Sequence, residues 1–180
     1  MKYLAILLLA LSFSAHAQDA HEYNYKVTKD NWTATARHRE GTWHTELGYS
    51  FDKIDVMYRY ARLGTKNEHR IKFTQGLAKW NGFSLSHRME YRQFDVKENY
   101  WRYRFILGYK YDITPNAQFW VKIQPRWSLK DERTKFDARD QMGVKFKFGN
   151  LSISPFAERG ATDDYKFDHN VYGIHTEYKL

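Results

Sequence analysis

YWRYRFILGYKY, residues 100–111, is the stretch whose reading decides the fold. Its residues sort by parity. Trp101, Tyr103, Phe105, Leu107, Tyr109 and Tyr111 form one set, while Arg102, Arg104 and Lys110 fall in the other, with Gly108 between them. A strand sends successive side chains to opposite faces, so the stretch predicts a strand with one apolar and one basic face. A helix would mix the two sets on every face.

The period of two recurs on both sides. Downstream, Phe119, Val121, Ile123, Pro125, Trp127 and Leu129 oppose Lys122, Gln124 and Arg126, and Val144, Phe146 and Phe148 oppose Lys145 and Lys147. Upstream, Phe83, Leu85, Met89 and Tyr91 oppose Ser84, Arg88, Glu90 and Arg92, and Ile71 and Phe73 oppose Arg70 and Lys72. The alternation predicts ten strands, at 31–39, 43–51, 54–62, 69–79, 83–93, 99–111, 117–129, 138–148, 151–159 and 168–180. Such lengths suit the ~9–11 residues that a tilted strand needs to cross a bilayer. Gln75 and His87 are misfits on the apolar faces.

The joins also alternate. Turns at 52–53, 79–82, 112–116 and 149–150 read as short, with turn chemistry in Asn81-Gly82 and Gly149-Asn150, while those near 63–68, 94–98, 130–137 and 160–167 read as longer and charged. Short turns at one end and longer loops at the other is the outer-membrane barrel arrangement. It predicts an all-β, transmembrane, antiparallel up-and-down barrel of about ten strands, with twelve as the alternative. An even count puts both termini at the periplasmic end. In those directions Trp43, Tyr60, Tyr91, Trp101, Trp127 and Tyr172 fall near the outer rim, and Phe51, Phe83, Tyr109, Tyr111, Phe119, Phe148 and Tyr178 near the periplasmic one. Aromatic girdles at both interfaces are expected of such barrels. The competing reading is a soluble sandwich or barrel with the aromatic faces inside.

The totals agree with a barrel. The 180 residues contain no cysteine, 18% aromatics and 28% charged residues, with a mean hydropathy of −0.78. No disulfide and no cysteine-ligated metal is available. Disordered chains are poor in aromatics, and a barrel that shows lipid only alternate residues keeps a low average hydropathy. The net charge of +8 would also suit a soluble nucleic-acid binder, but the cations alternate with apolar residues instead of clustering.

At the start, Lys2, the apolar run Tyr3 to Leu11 and Ala15-His16-Ala17 form a secretory leader pattern over residues 1–17, which predicts export across the inner membrane of a Gram-negative cell. The run is too short for a spanning helix. Residues 18–30, where Tyr23, Tyr25 and Val27 alternate, read as a further strand, a plug or a tail, and 31–180 as the barrel.

With the apolar faces on lipid, the opposite faces line a lumen. That set gives the candidate solute-binding residues Arg37, Arg39, Arg59, Arg70, Lys72, Arg88, Arg92, Arg102, Arg104, Lys122, Arg126 and Lys145; Lys147 shares the register. The acids in register, Glu46, Asp55, Glu90, Glu158 and Glu177, are fewer. A narrow basic lumen concentrates anions, and planar guanidinium forks suit carboxylates. The expected function is passive diffusion of small anionic solutes, acidic oligosaccharides among them, by a monomer held in outer-membrane lipid, without nucleic acid or cofactor. The alternatives are a closed structural or adhesive barrel, its arginines paired with the acids, and a lipid-A-modifying enzyme.

His69-Arg-Ile-Lys-Phe73 followed by Asn81-Gly-Phe-Ser-Leu85, and Tyr109-Lys-Tyr-Asp-Ile-Thr-Pro115 followed by Val121-Lys-Ile123, resemble the oligogalacturonate-specific (KdgM-like) porin family. That resemblance implies a monomeric barrel of twelve strands, one hairpin more than the ten read here. It also implies arginine tracks for acidic sugars, with Arg70, Arg88, Arg102, Arg104 and Arg126 as the matching side chains.

Catalytic patterns are sparse. Ser86-His87 is the one adjacent Ser–His pair, and strand parity puts the two on opposite faces. Asp163, Asp164 and His169 read as solvated loop charge. The histidines show no metal-ligand spacing on a common face.

Overall fold

The computed structural model describes residues 18–96, 98–130, 134–161 and 167–180. The leader pattern of residues 1–17, and Asp163 and Asp164, lie outside them. The regular elements are eleven strands: β1 (Gln18–Lys29), β2 (Trp32–Arg39), β3 (Thr42–Phe51), β4 (Ile54–Leu63), β5 (Lys66–Trp80), β6 (Phe83–Phe94), β7 (Tyr100–Thr114), β8 (Ala117–Leu129), β9 (Thr134–Phe148), β10 (Leu151–Ala161) and β11 (Phe167–Lys179). They form one closed barrel in which each strand pairs with its neighbour in sequence. All ten strands expected from the alternation are present, and residues 18–29 supply the eleventh.

Alternating directions cannot close an odd number of strands, so one seam must be parallel. It lies between β1 and β11, where Gln18 stands opposite His169 and Thr28 opposite Lys179. The start of β1 and the end of β11 are therefore at opposite ends of the barrel. This corrects the expectation that both lie at the same end, which rested on an even count.

One end, the turn end, carries the two-residue turns 30–31, 52–53, 81–82, 115–116 and 149–150. At Asn81-Gly82 both φ angles are positive (41° and 84°), as a two-residue turn matched to strand twist requires. The other, the loop end, is less open than expected. The join predicted over 63–68 is a two-residue turn at Gly64-Thr65, and that over 130–137 is shortened because β9 begins at Thr134. In both places polar residues that resemble a loop in sequence continue the strand alternation.

The barrel is inside-out. Among the described residues the buried apolar side chains are only Ala20, Ala61, Trp120, Phe156, Ala161 and Val171, whereas twenty-eight large apolar side chains are exposed. The exposed set includes Trp43, Leu47, Phe73, Trp101, Phe105, Leu107 and Phe148. The buried polar set holds Glu22, Arg59, Glu68, Arg70, Lys72, Glu90, Arg104, Arg126 and Glu158. A soluble sandwich with an aromatic core is thereby excluded. On the outer surface cross-strand aromatic pairs form, such as Tyr91–Trp101 with ring centroids 5.0 Å apart near the loop end and Phe83–Tyr109 at 4.6 Å near the turn end. The misfits Gln75 and His87 are directly opposed across β5 and β6, and a 2.9 Å hydrogen bond joins Gln75 Oε1 to His87 Nε2.

A small aromatic cluster sits on the inner wall. Phe156 stacks on His175 with centroids 4.1 Å apart, and Trp120 Nε1 donates to Ser154 Oγ at 2.8 Å. Glycine makes the room: a Cβ at Gly173 would overlap the Glu22 carbonyl and the Phe156 ring.

Candidate functional site: a charged lumen

The inward faces enclose a cavity of about 840 Å³. Arg37, Arg39, Arg59, Arg70, Lys72, Arg88, Arg92, Arg102, Arg104, Lys122, Arg126 and Lys145 all line it. Lys26, Lys110, Arg139 and Lys179 join them, against the acids Glu22, Glu46, Asp55, Glu68, Glu90 and Glu177. The alternation places them there: an odd–even register with outward aromatics leaves the inward positions to charge.

The arginines are mostly engaged. Glu90 is fully buried and lies 2.6 Å from Arg104, 3.2 Å from Arg70 and 3.9 Å from Arg88. Glu68 meets Arg70 at 2.5 Å and Arg92 at 2.8 Å. Glu46 pairs with Arg59 and, at 2.6 Å, with Lys72. Glu158, also fully buried, takes Arg139 at 3.0 Å and Arg39 at 3.4 Å. Arg37 lies 3.4 Å from Glu22, and Arg126 pairs with Asp137. Removing an ion from water costs several kcal/mol unless partners replace the hydration. Glu68, Glu90 and Glu158 each meet two or more cations, which lets all three sit at 1% exposure or less.

These contacts join into a belt. Arg70 links Glu68 to Glu90, and Glu90 reaches Arg104. Arg104 Nη1 donates to Gln124 Oε1 at 3.1 Å, Gln124 Nε2 to Gln141 Oε1 at 3.1 Å, and Gln141 Nε2 to Glu158 Oε2 at 2.5 Å. Arg39 on β2 completes the path from Glu158 on β10, reaching past the parallel seam. The belt therefore runs from β5 round to β2.

Nearer the turn end the chemistry changes. The inward cations toward the two-residue turns include Lys26, Lys79, Lys110, Lys122, Lys145, Lys147 and Lys179. Glu177 holds Lys145 at 2.6 Å and Lys26 at 3.1 Å. Lys122 Nζ lies 5.1 Å from the Trp120 ring centroid. Among the described residues neither Lys110 nor Lys122 has a carboxylate within salt-bridge distance, and Arg102 turns instead to Ser128 Oγ at 3.2 Å and the Tyr100 hydroxyl at 3.2 Å. The lumen thus has an arginine–glutamate belt toward the loop end and a lysine-rich vestibule toward the turn end.

The sequence reading named Glu46, Glu90, Glu158 and Glu177 as inward acids but missed Glu22, Glu68 and Asp137. All three stand outside the predicted strands, yet each continues the parity of the strand it belongs to. Of the sparse catalytic patterns, His87 bonds Gln75 on the outer face.

No family model, curated protein or solved structure matches the chain. Fold and lumen together define it as a closed β-barrel with an apolar outer surface and a charged, cationic interior.

Proposed function

We propose that the chain is an outer-membrane barrel through which small anionic solutes, acidic saccharides among them, diffuse passively. The observation that carries the reading is the cavity of about 840 Å³ with excess positive charge, set inside a wall whose large apolar side chains face outward. An apolar exterior of this extent matches hydrocarbon, and only a closed barrel satisfies every backbone group there without helices. A lumen lined by one sign of charge between low-dielectric walls draws counter-ions inward.

A second reading is favoured by the belt. Arginines that hold glutamates across the lumen also fill it, and a small barrel can be filled by side chains alone. Reconstitution separates the two. The mature chain, refolded and shown to be heat-modifiable, is placed in a planar bilayer under a salt gradient. Anion-selective current is expected; a folded barrel without current would leave the closed, structural reading.

The outward pair Gln75–His87 gives a separate test of lipid contact. His87→Leu alone strands the Gln75 amide and is expected to lower stability by about 1 kcal/mol, whereas Gln75→Leu with His87→Leu restores it. Urea unfolding from lipid vesicles measures both. Loss of stability in the double variant would mean that the face is wet.

A further inference from the structure

We propose that the lysine-rich vestibule at the turn end binds compact multivalent oxyanions, with phosphate as the type ligand, in preference to sugar carboxylates. The inference rests on the anion-passing reading and narrows its substrate class.

Availability of charge carries the argument. The guanidinium forks that would suit a carboxylate are mostly held by protein carboxylates: Arg70, Arg92 and Arg104 by Glu68 and Glu90, Arg59 by Glu46, and Arg39 and Arg139 by Glu158. A solute carboxylate would have to displace a buried partner. Apart from Arg102, which bonds Ser128 Oγ and the Tyr100 hydroxyl, the lining cations left without an acid among the described residues are ammonium groups. Lys110 is on β7 and Lys122 on β8, where Gly108 is opposite Lys122 and Lys110 opposite Trp120, so the two lysines are diagonal neighbours. Lys145 and Lys26, bridged by Glu177, bring positive charge from β9 and β1.

An ammonium is a point charge with three rotatable donors, which fits a tetrahedral oxyanion as well as a planar one and gains most from ligand charge. On this part of the lining Lys26, Lys110, Lys122, Lys145 and Lys179 outnumber the acids Glu177 and Asp55, an excess that a dianion neutralises better than a monocarboxylate. The wall supplies further polar groups. Gln118 and Ser152 line the same cavity, and Ser154 Oγ, which accepts from Trp120 Nε1, keeps its own proton to donate. Gly108 keeps the floor open, since a Cβ there would press on Ser84 Oγ.

The test is calorimetric. The refolded chain in an amine-oxide detergent, which carries no phosphate, is titrated with inorganic phosphate and separately with galacturonate. Phosphate is expected to bind at least about tenfold more tightly. Lys110→Gln and Lys122→Gln are each expected to weaken phosphate about tenfold, and Lys110→Arg to stay within about threefold of the parent. Equal or tighter binding of galacturonate, or phosphate binding indifferent to both glutamine variants, overturns the proposal, as does a folded chain that binds no phosphate. Binding seen only with lipid A present in the micelle would move the ligand to a lipid headgroup and overturn the solute site. Bilayer current is read in parallel. Current without phosphate binding sinks the vestibule and keeps the channel; binding without current does the reverse.

Discussion

Glu90→Ala is expected to cost the barrel about 3–5 kcal/mol, read as a lower urea midpoint for unfolding from detergent micelles or vesicles. Glu90 has no exposed surface and faces Arg104, Arg70 and Arg88. Deleting it leaves Arg104 and Arg88 without a carboxylate and Arg70 with Glu68, the three guanidinium groups still close together. The loss exceeds that of a surface ion pair, which is worth about 0–1 kcal/mol, because the remaining charges cannot regain full hydration. Glu90→Gln keeps the shape and an acceptor but not the charge, so its cost should be smaller. A midpoint for Glu90→Ala equal to the parent's would mean that water or ions already screen the belt.

Lys110→Glu combined with Lys122→Glu is expected to move the reversal potential in a salt gradient toward zero and to lower anion permeability roughly tenfold. Both side chains line the cavity, and neither is committed to an acid among the described residues. Their replacement changes the field without breaking the belt. The sequence pattern alone would have chosen Arg102 and Arg104 for this experiment. The structure advises against Arg104: a glutamate there would face Glu90 and break the hydrogen bond to Gln124, so a lost current could be a lost fold. Unchanged selectivity in a folded double-lysine variant would place the selective charge elsewhere.

Much of the fold was legible because parity is a strong signal when apolar and charged residues alternate over ten or more positions, as they do from Trp101 to Tyr111. The lumen residues followed from the same parity. What was missed sits at strand ends. Glu68 was read as loop because Lys66-Asn67-Glu68 is polar throughout, and Asp137 because it follows a charged run. Polar strand ends resemble loops in one dimension, and only pairing separates them: Glu68 opposite Phe94, and Asp137 opposite Arg126. Glu22 lies in residues 18–30, whose alternation fits a strand, a plug or a tail, and the strand's place depends on a parallel partner some 150 residues away in sequence. No local pattern encodes that seam. These three acids matter for the site, because Glu68 joins Arg70 and Arg92 to the belt while Glu22 and Asp137 take up Arg37 and Arg126. The misfit Gln75 and His87 were visible singly, but their mutual hydrogen bond depends on the register between β5 and β6.

On the proposed outer-membrane reading the aromatic faces meet lipid while the charged faces meet water. The chain has no native cysteine, so single cysteines can report each face separately. Leu107→Cys on β7 lies outward, and Ser84→Cys, opposite Gly108 on the neighbouring strand β6, lies inward. Each is labelled with a polarity-sensitive fluorophore in the refolded protein and exposed in vesicles to brominated lipid and to aqueous iodide. Quenching of the Leu107→Cys label by brominated lipid alone, and of the Ser84→Cys label by iodide alone, is expected. Iodide quenching at the Leu107→Cys label, or lipid quenching at the Ser84→Cys label, would contradict that reading.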